Sequence, residues 1–251
     1  MNIDKNTAIR FWMAYKAIEE DFVEIIKFIP FEKEGTQNEI TNKDAYSFKF
    51  GDIIIRSCTK IDSLLKHLTK IGYIEFNDDE RKNLLTTCQK KIQKNKMIKV
   101  EDYKRLYREN FMNPKIEIHL RKVDLIFWPF YEGNPINNTF PWWTIYNNLK
   151  HDFHNNIKKA TLWNSLLSLG ALFSITCSLP ELKEFLFKNK VIWSPNFLHW
   201  IDYSIYTSQF PDSKINLFAD SEIFGKELSI NKNNLCRLWT QSQNIGGKLP
   251  D

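Results

Sequence analysis

A mainly helical bundle is the fold this sequence predicts, and three observations carry the prediction. Glycine is scarce, at 8 residues, while Lys, Leu, Ile and Glu are frequent; that composition favours helices over a turn-rich sandwich. Two long segments near the start repeat apolar residues at alternating spacings of four and three, the mark of a helix with one buried face. Apolar residues make up 43% and aromatics 14% of the chain, with 19 Phe, enough for a sizeable core. The 251 residues suit one large domain or two small ones. We place a helical bundle at 1–190 and a less regular extension packed on it at 191–251.

The first helix is expected from about Thr7 to Ile29, stopped by Pro30, which cannot continue it. Its stripe reads Phe11, Tyr15, Ile18, Phe22, Ile25 and Ile29, with Glu19, Glu20, Asp21 and Glu24 off it. Such a stripe needs a helical partner, either inside the monomer or from a second copy, and self-association through long helices is expected. A polar loop follows over 31–45. The second helix runs from about Tyr46 to Ile71 and ends at Gly72, with Phe50, Ile54, Cys58, Ile61, Leu65 and Leu68 inward. Asn77 with Glu80 three residues on has the form of a capping box for a basic helix to about Asn95. A short helix follows near Glu101–Phe111. Residues 119–143 are aromatic, broken by Pro129, Pro135 and Pro141, and are expected to be mostly loop.

A long helix is expected from Phe140–Trp142 to Cys177, with Pro141 in its first turn and a bend or division at Gly170. Its apolar part, Leu162–Leu179, contains Asn164, Ser165, Ser168, Ser174, Thr176 and Ser178. That is too polar for a membrane span of about 20 residues and fits a buried core helix. A further helix covers about Pro180–Asn189, and the stretch "SKINLFADSEIFGKELSI" suggests a small β element.

The net charge of +5, from 35 basic and 30 acidic residues, permits contact with nucleic acid without demanding it. The four cysteines, Cys58, Cys88, Cys177 and Cys236, have no CxxC spacing, which argues against a cysteine zinc site. Asp4, Lys5 and Arg10 interrupt the start, so no signal peptide is expected and a cytoplasmic location with reduced thiols follows. There is no Gly-rich phosphate loop, nucleophile elbow or HExxH pattern, and no cofactor is implied.

The most informative run is "WWTIYNNLKHDFHNN", residues 142–156. At 100° per residue, Leu149, Phe153, Asn156 and Ala160 lie within about 80° of Ile145 and define the core face. Asn147, His151, His154 and Lys158 fall between about 180° and 240°, on the opposite side, with Lys150 at its edge. An imidazole there can exchange protons with a ribose 2′-hydroxyl and a leaving oxygen. Asn147 can hold a phosphate, and Lys150 or Lys158 can stabilise charge on phosphorus. The same residues are also ordinary choices for a helix face in water. A metal pair of His151 and His154 lacks a third ligand nearby, so no metal is expected. Asp152 lies on the core side, which implies a buried structural ion pair. Trp142 and Trp143 either close the core at the helix start or stack on bases.

The run "PWWTIYNNLKHD" (141–152), with "ATLWNSLLSLGALFSI" (160–175) and "SCTKIDSLLKHL" (57–68), resembles the HEPN superfamily of prokaryotic helical proteins. The resemblance covers residues 1–190. It implies a helical bundle, commonly dimeric, and a role in antiphage or toxin–antitoxin defence, either as a metal-independent endoribonuclease or as an inactive interaction module. Active members carry an arginine, often followed by asparagine, and a histidine four to six residues on. Asn147 and His151 match the asparagine and histidine, which gives a catalytic set of His151, Asn147 and Lys150 and an RNA-binding set of His154, Lys158 and Tyr146. Tyr146 stands at the arginine position, and a neutral phenol cannot make the bidentate phosphate contact of a guanidinium. Two readings therefore stand: an RNA-binding or RNA-cleaving defence protein, and an inactive module that binds a partner protein.

Overall fold

The computed structural model describes residues 2–29, 32, 40–112, 116–118, 125–130, 140–189, 191–193, 216–221 and 223–229. Helices dominate. The first, α1 (Lys5–Ile26), opens on Asp4, whose carboxylate accepts the Thr7 N–H at 2.9 Å. Its buried face is Ala8, Trp12, Tyr15, Ile18, Phe22 and Ile26 together with Glu19. That face is rotated from the expected stripe: Trp12 and Ile26 are buried where Phe11 and Ile25 were expected, and Glu19, expected in solvent, is fully enclosed. The chain carries adjacent apolar pairs at 11–12 and 25–26, so periodicity alone admits either register.

The second helix, α2 (Phe48–Ile71), begins at Ser47, whose hydroxyl accepts the Phe50 N–H at 3.1 Å, and ends on Gly72 in the left-handed region at φ 60°. A side chain would be strained there, and glycine is not. Every residue of its expected stripe is buried. The third, α3 (Asp79–Gln93), is capped by Asp78 rather than Asn77, through the Arg81 N–H at 2.8 Å. Next come α4 (Val100–Tyr107) and a π-helical turn at Arg108–Met112.

The expected long helix is several elements: α5 (Pro141–His151), a single turn α6 (Phe153–Asn156), a 3₁₀ turn (Ile157–Lys159) and α7 (Leu162–Cys177). The division falls at Asp152, not Gly170. At Gly170 the helix continues, and the missing side chain serves a close approach: a Cβ there would lie 2.9 Å from Phe127 Cζ. Nearly all of α7 is buried, between α1 and α2. Its hydroxyls are satisfied by nearby backbone, as Ser165 donates to Leu162 O at 2.7 Å and Thr176 to Leu172 O at 2.8 Å. Because α2 and α7 cover α1 within one chain, the α1 stripe gives no reason for self-association. Among the described residues no helix is long and apolar enough to cross a membrane.

A 3₁₀ turn at Pro180–Leu182 leads into α8 (Lys183–Lys188). Among the described residues five strands form an antiparallel sheet: β1 (Ile116–Ile118), β2 (Leu125–Phe127), β3 (Ile192–Trp193), β4 (Asn216–Asp220) and β5 (Phe224–Ser229), in the order β2-β1-β5-β4-β3. The β4–β5 ribbon lies within the stretch read as a β element and pairs Phe218 with Glu227. β2 lies inside the stretch expected to be loop. Ile118 of β1 faces Phe224 of β5, so the sheet joins strands from both sides of residue 190. Phe224 packs on Phe127 and on Phe173 of α7, with ring centroids 6.0 and 5.7 Å apart.

One polar cluster fastens this sheet to the bundle. The buried Glu19 carboxylate accepts from the Tyr15 hydroxyl at 2.6 Å and from the Ile223 N–H at 3.1 Å, and it pairs with Lys16. The Tyr15 hydroxyl also lies 2.8 Å from Ser221 Oγ. Burial, reinforced by the carboxylate beside it, pushes the Tyr15 phenol well above its usual value. Cys58, Cys88 and Cys177 are free thiols in the interior; Cys236 lies outside the described residues.

Candidate functional site

The candidate surface is built on α5 and α6. Aromatic packing fixes the start of α5. Trp142 is fully buried, donates from Nε1 to Pro129 O at 2.6 Å, and stacks on Phe140 with centroids 5.4 Å apart and planes 5° from parallel. Trp143 is buried too and meets the Tyr146 ring at 5.5 Å. Both tryptophans therefore close the core at the helix start and present no face to a base.

At its other end α5 stops because Asp152 leaves the helical region, at φ −151° and ψ 85°. Its carboxylate accepts from the Asn155 N–H at 3.2 Å and from Asn155 Nδ2 at 2.7 Å, which caps α6. Asn156 closes the break, donating from Nδ2 to Asp152 O at 2.8 Å and Asn148 O at 3.3 Å. Asp152 is thus exposed and locally capped; the expected buried ion pair is absent, because that expectation assumed a continuous helix through residue 152. The same break interrupts the expected row. Asn147, Lys150 and His151 lie on α5, His154 on α6 and Lys158 on the 3₁₀ turn; all are exposed, but not as one ladder at helical spacing.

The Asn155 donors hold the Asp152 carboxyl below the usual carboxylate range. Its stabilisation is therefore full above the unfolded value of about 3.9 and lost as pH falls through the lower folded value. Asp152→Ala is expected to lower the melting temperature slightly, and Asp152→Asn, a good cap in its own right, to leave it nearly unchanged. Thermal melts of both variants at neutral and acid pH check this; a large loss for the asparagine variant would contradict a simple cap.

The side chains of Asn147, His151 and Lys158 have no hydrogen-bond or ion-pair partner in the described structure. Lys150 lies with Nζ 5.7 Å from the Tyr146 ring centroid. Across from it on α2 is Asp62, whose carboxyl is pushed up by burial, against the opposing effects of the Tyr103 hydroxyl and the Lys66 and Lys150 charges. Tyr146, expected at the RNA surface, is 6% exposed and turned into the core beside Trp143, so it has no face free for RNA. Phe48, not singled out by sequence, is 61% exposed and borders the site. Its ring meets Phe153 at 5.7 Å and His154 at 6.3 Å.

A separate cleft of about 580 Å³ lies between α3 and α4 and is lined by charged residues, including Lys104 and Arg108. Its carboxylates are partly spent on pairs, Asp78 with Arg81 and Glu80 with Arg105, and it holds none of the catalytic or RNA-binding candidates. Among the described residues no three His, Cys, Asp or Glu side chains come together as a metal-binding group. Comparison of the chain with family models, characterised proteins and solved structures finds no match.

Proposed function

We propose that the chain is a HEPN-like RNA-binding protein of a prokaryotic defence system, and that its α5–α6 surface performs metal-independent endoribonuclease chemistry. One observation carries the reading: the His151 imidazole is exposed at the end of α5 without a hydrogen-bond partner among the described residues, with Asn147 one turn before it and Lys150 adjacent. Neutral His151 takes the proton of a ribose 2′-hydroxyl as that oxygen attacks the neighbouring phosphorus. The His151 imidazolium so formed returns that proton to the 5′-oxygen as the phosphorus–oxygen bond breaks, and the products are a 2′,3′-cyclic phosphate and a free 5′-hydroxyl. Asn147 and Lys150 orient the phosphate and stabilise the charge that develops on it, while His154 and Lys158 hold the strand.

A second reading, an inactive interaction module for a partner protein, is favoured by Tyr146. At the arginine position of the resemblance this ring is packed into the core, so the position supplies neither charge nor reach to a phosphate. Incubation of the purified protein with mixed RNAs, with and without EDTA, separates the two. Cleavage that survives EDTA and leaves cyclic phosphate ends is expected; neither binding nor cleavage of any RNA would leave the interaction module.

A further inference from the structure

We infer that the rings of Phe48, Phe153 and His154 form a stacking platform for one unpaired base beside His151, an inference that rests on the RNA reading above. Phe48 is the first residue of α2 and is 61% exposed. Phe153 lies nearly parallel to it, with centroids 5.7 Å apart and planes 21° from parallel, and His154 meets Phe48 edge-on at 6.3 Å. The platform is held from behind. Gly51, one turn along α2, admits the Phe153 ring so closely that a Cβ there would lie 2.7 Å from Phe153 Cζ. Phe153 is thereby seated on backbone, and Phe48 lies against a fixed ring rather than ranging freely.

The surroundings specify the occupant. Lys49 follows Phe48 in α2, and Lys150 and Lys158 stand three residues before Phe153 and four after His154; all three are exposed, while the Asp152 carboxylate is engaged in capping α6. A ligand that satisfies this surface offers a flat π face together with negative charge, as a base on a phosphodiester strand does. A duplex hides its base faces in the stack, so the strand is single. Phe153 and His154 directly follow the α5–α6 break at Asp152, and His151 ends α5 just before it, so a base on Phe48 is held by the segment that carries His151.

The test is binding of a labelled RNA oligonucleotide, single-stranded or as a perfect duplex, to the full chain carrying His151→Ala so that the strand is not consumed. Single strand is expected to bind more tightly than duplex. Adding Phe48→Leu, which keeps an apolar side chain but removes the π face, is expected to weaken single-strand binding about 5- to 150-fold, and Phe48→Trp to preserve it. Circular dichroism and sedimentation of each variant without RNA show whether fold and assembly are retained. Single-strand binding unchanged by Phe48→Leu overturns the platform and leaves the RNA reading standing. Absence of any RNA binding by the parent overturns both. A change of oligomeric state on Phe48→Leu without RNA overturns the platform in favour of an interface between copies of the chain.

Discussion

Replacing His151 with alanine is expected to slow RNA cleavage by roughly 10²–10⁴-fold while the melting temperature hardly moves. The two halves have separate physical grounds. The rate falls because the imidazole is the group placed to accept the 2′-hydroxyl proton and return one to the leaving oxygen, and alanine does neither. Stability holds because the side chain is exposed and has no hydrogen-bond partner, and truncation at such a site typically stays within about 0.5 kcal/mol. His154→Ala is expected to cost less, since that ring contacts Phe48 and Phe153 and holds the strand rather than moving a proton. Single-turnover cleavage with end-group analysis checks both variants; full activity in the His151 variant would remove the residue from the mechanism.

Glu19→Ala is expected to destabilise the protein by about 1–3 kcal/mol, the usual cost of leaving a buried hydrogen-bonding group unsatisfied, since the partly exposed Lys16 returns to water. The alanine leaves the Ile223 N–H without its acceptor, the Tyr15 hydroxyl with Ser221 Oγ in place of the carboxylate, and Lys16 without its counter-charge. Glu19→Gln keeps one acceptor oxygen and should lose less, because a neutral amide serves the N–H and the phenol but not the ammonium. Denaturant unfolding of the two variants measures the difference. A loss below about 1 kcal/mol for alanine, the range of solvent-exposed pairs, would show the carboxylate to be in water.

The parts of the fold written in local pattern were legible. In α2 the stripe from Phe50 to Leu68 is buried and Gly72 ends the helix, because the apolar period and the left-handed stop are both properties of neighbouring residues. The face of α1 was displaced because a helix covered on two sides, by α2 and α7, buries a broader arc than a single seam. Glu19 was not legible: the N–H that justifies burying a carboxylate belongs to a residue 204 positions away. The exposure of Asn147, Lys150, His151, His154 and Lys158 was readable, but their alignment was not. A constant helical phase aligns them only if the helix is unbroken, whereas Asp152 followed by Asn155 has the spacing of an N-cap. Phe48 escaped notice because its ring partners, Phe153 and His154, adjoin it only in the folded chain.

The strand order also fixes a sequence of events in the life of each molecule. β5 sits in the middle of the sheet, between β1 and β4, yet it emerges from the ribosome roughly a hundred residues after β1, a wait on the order of ten seconds at ordinary synthesis rates. Until then β1 has only β2 beside it, and its other edge is an open row of backbone donors and acceptors, the kind of template on which nascent chains join one another. The same wait leaves the Glu19 carboxylate without the Ile223 N–H, so the helical core must gather around a charge whose last donor has yet to be made. One late segment therefore both closes the open edge of β1 and, through the Ile223 N–H just ahead of β5, completes the hydrogen bonding of that buried carboxylate.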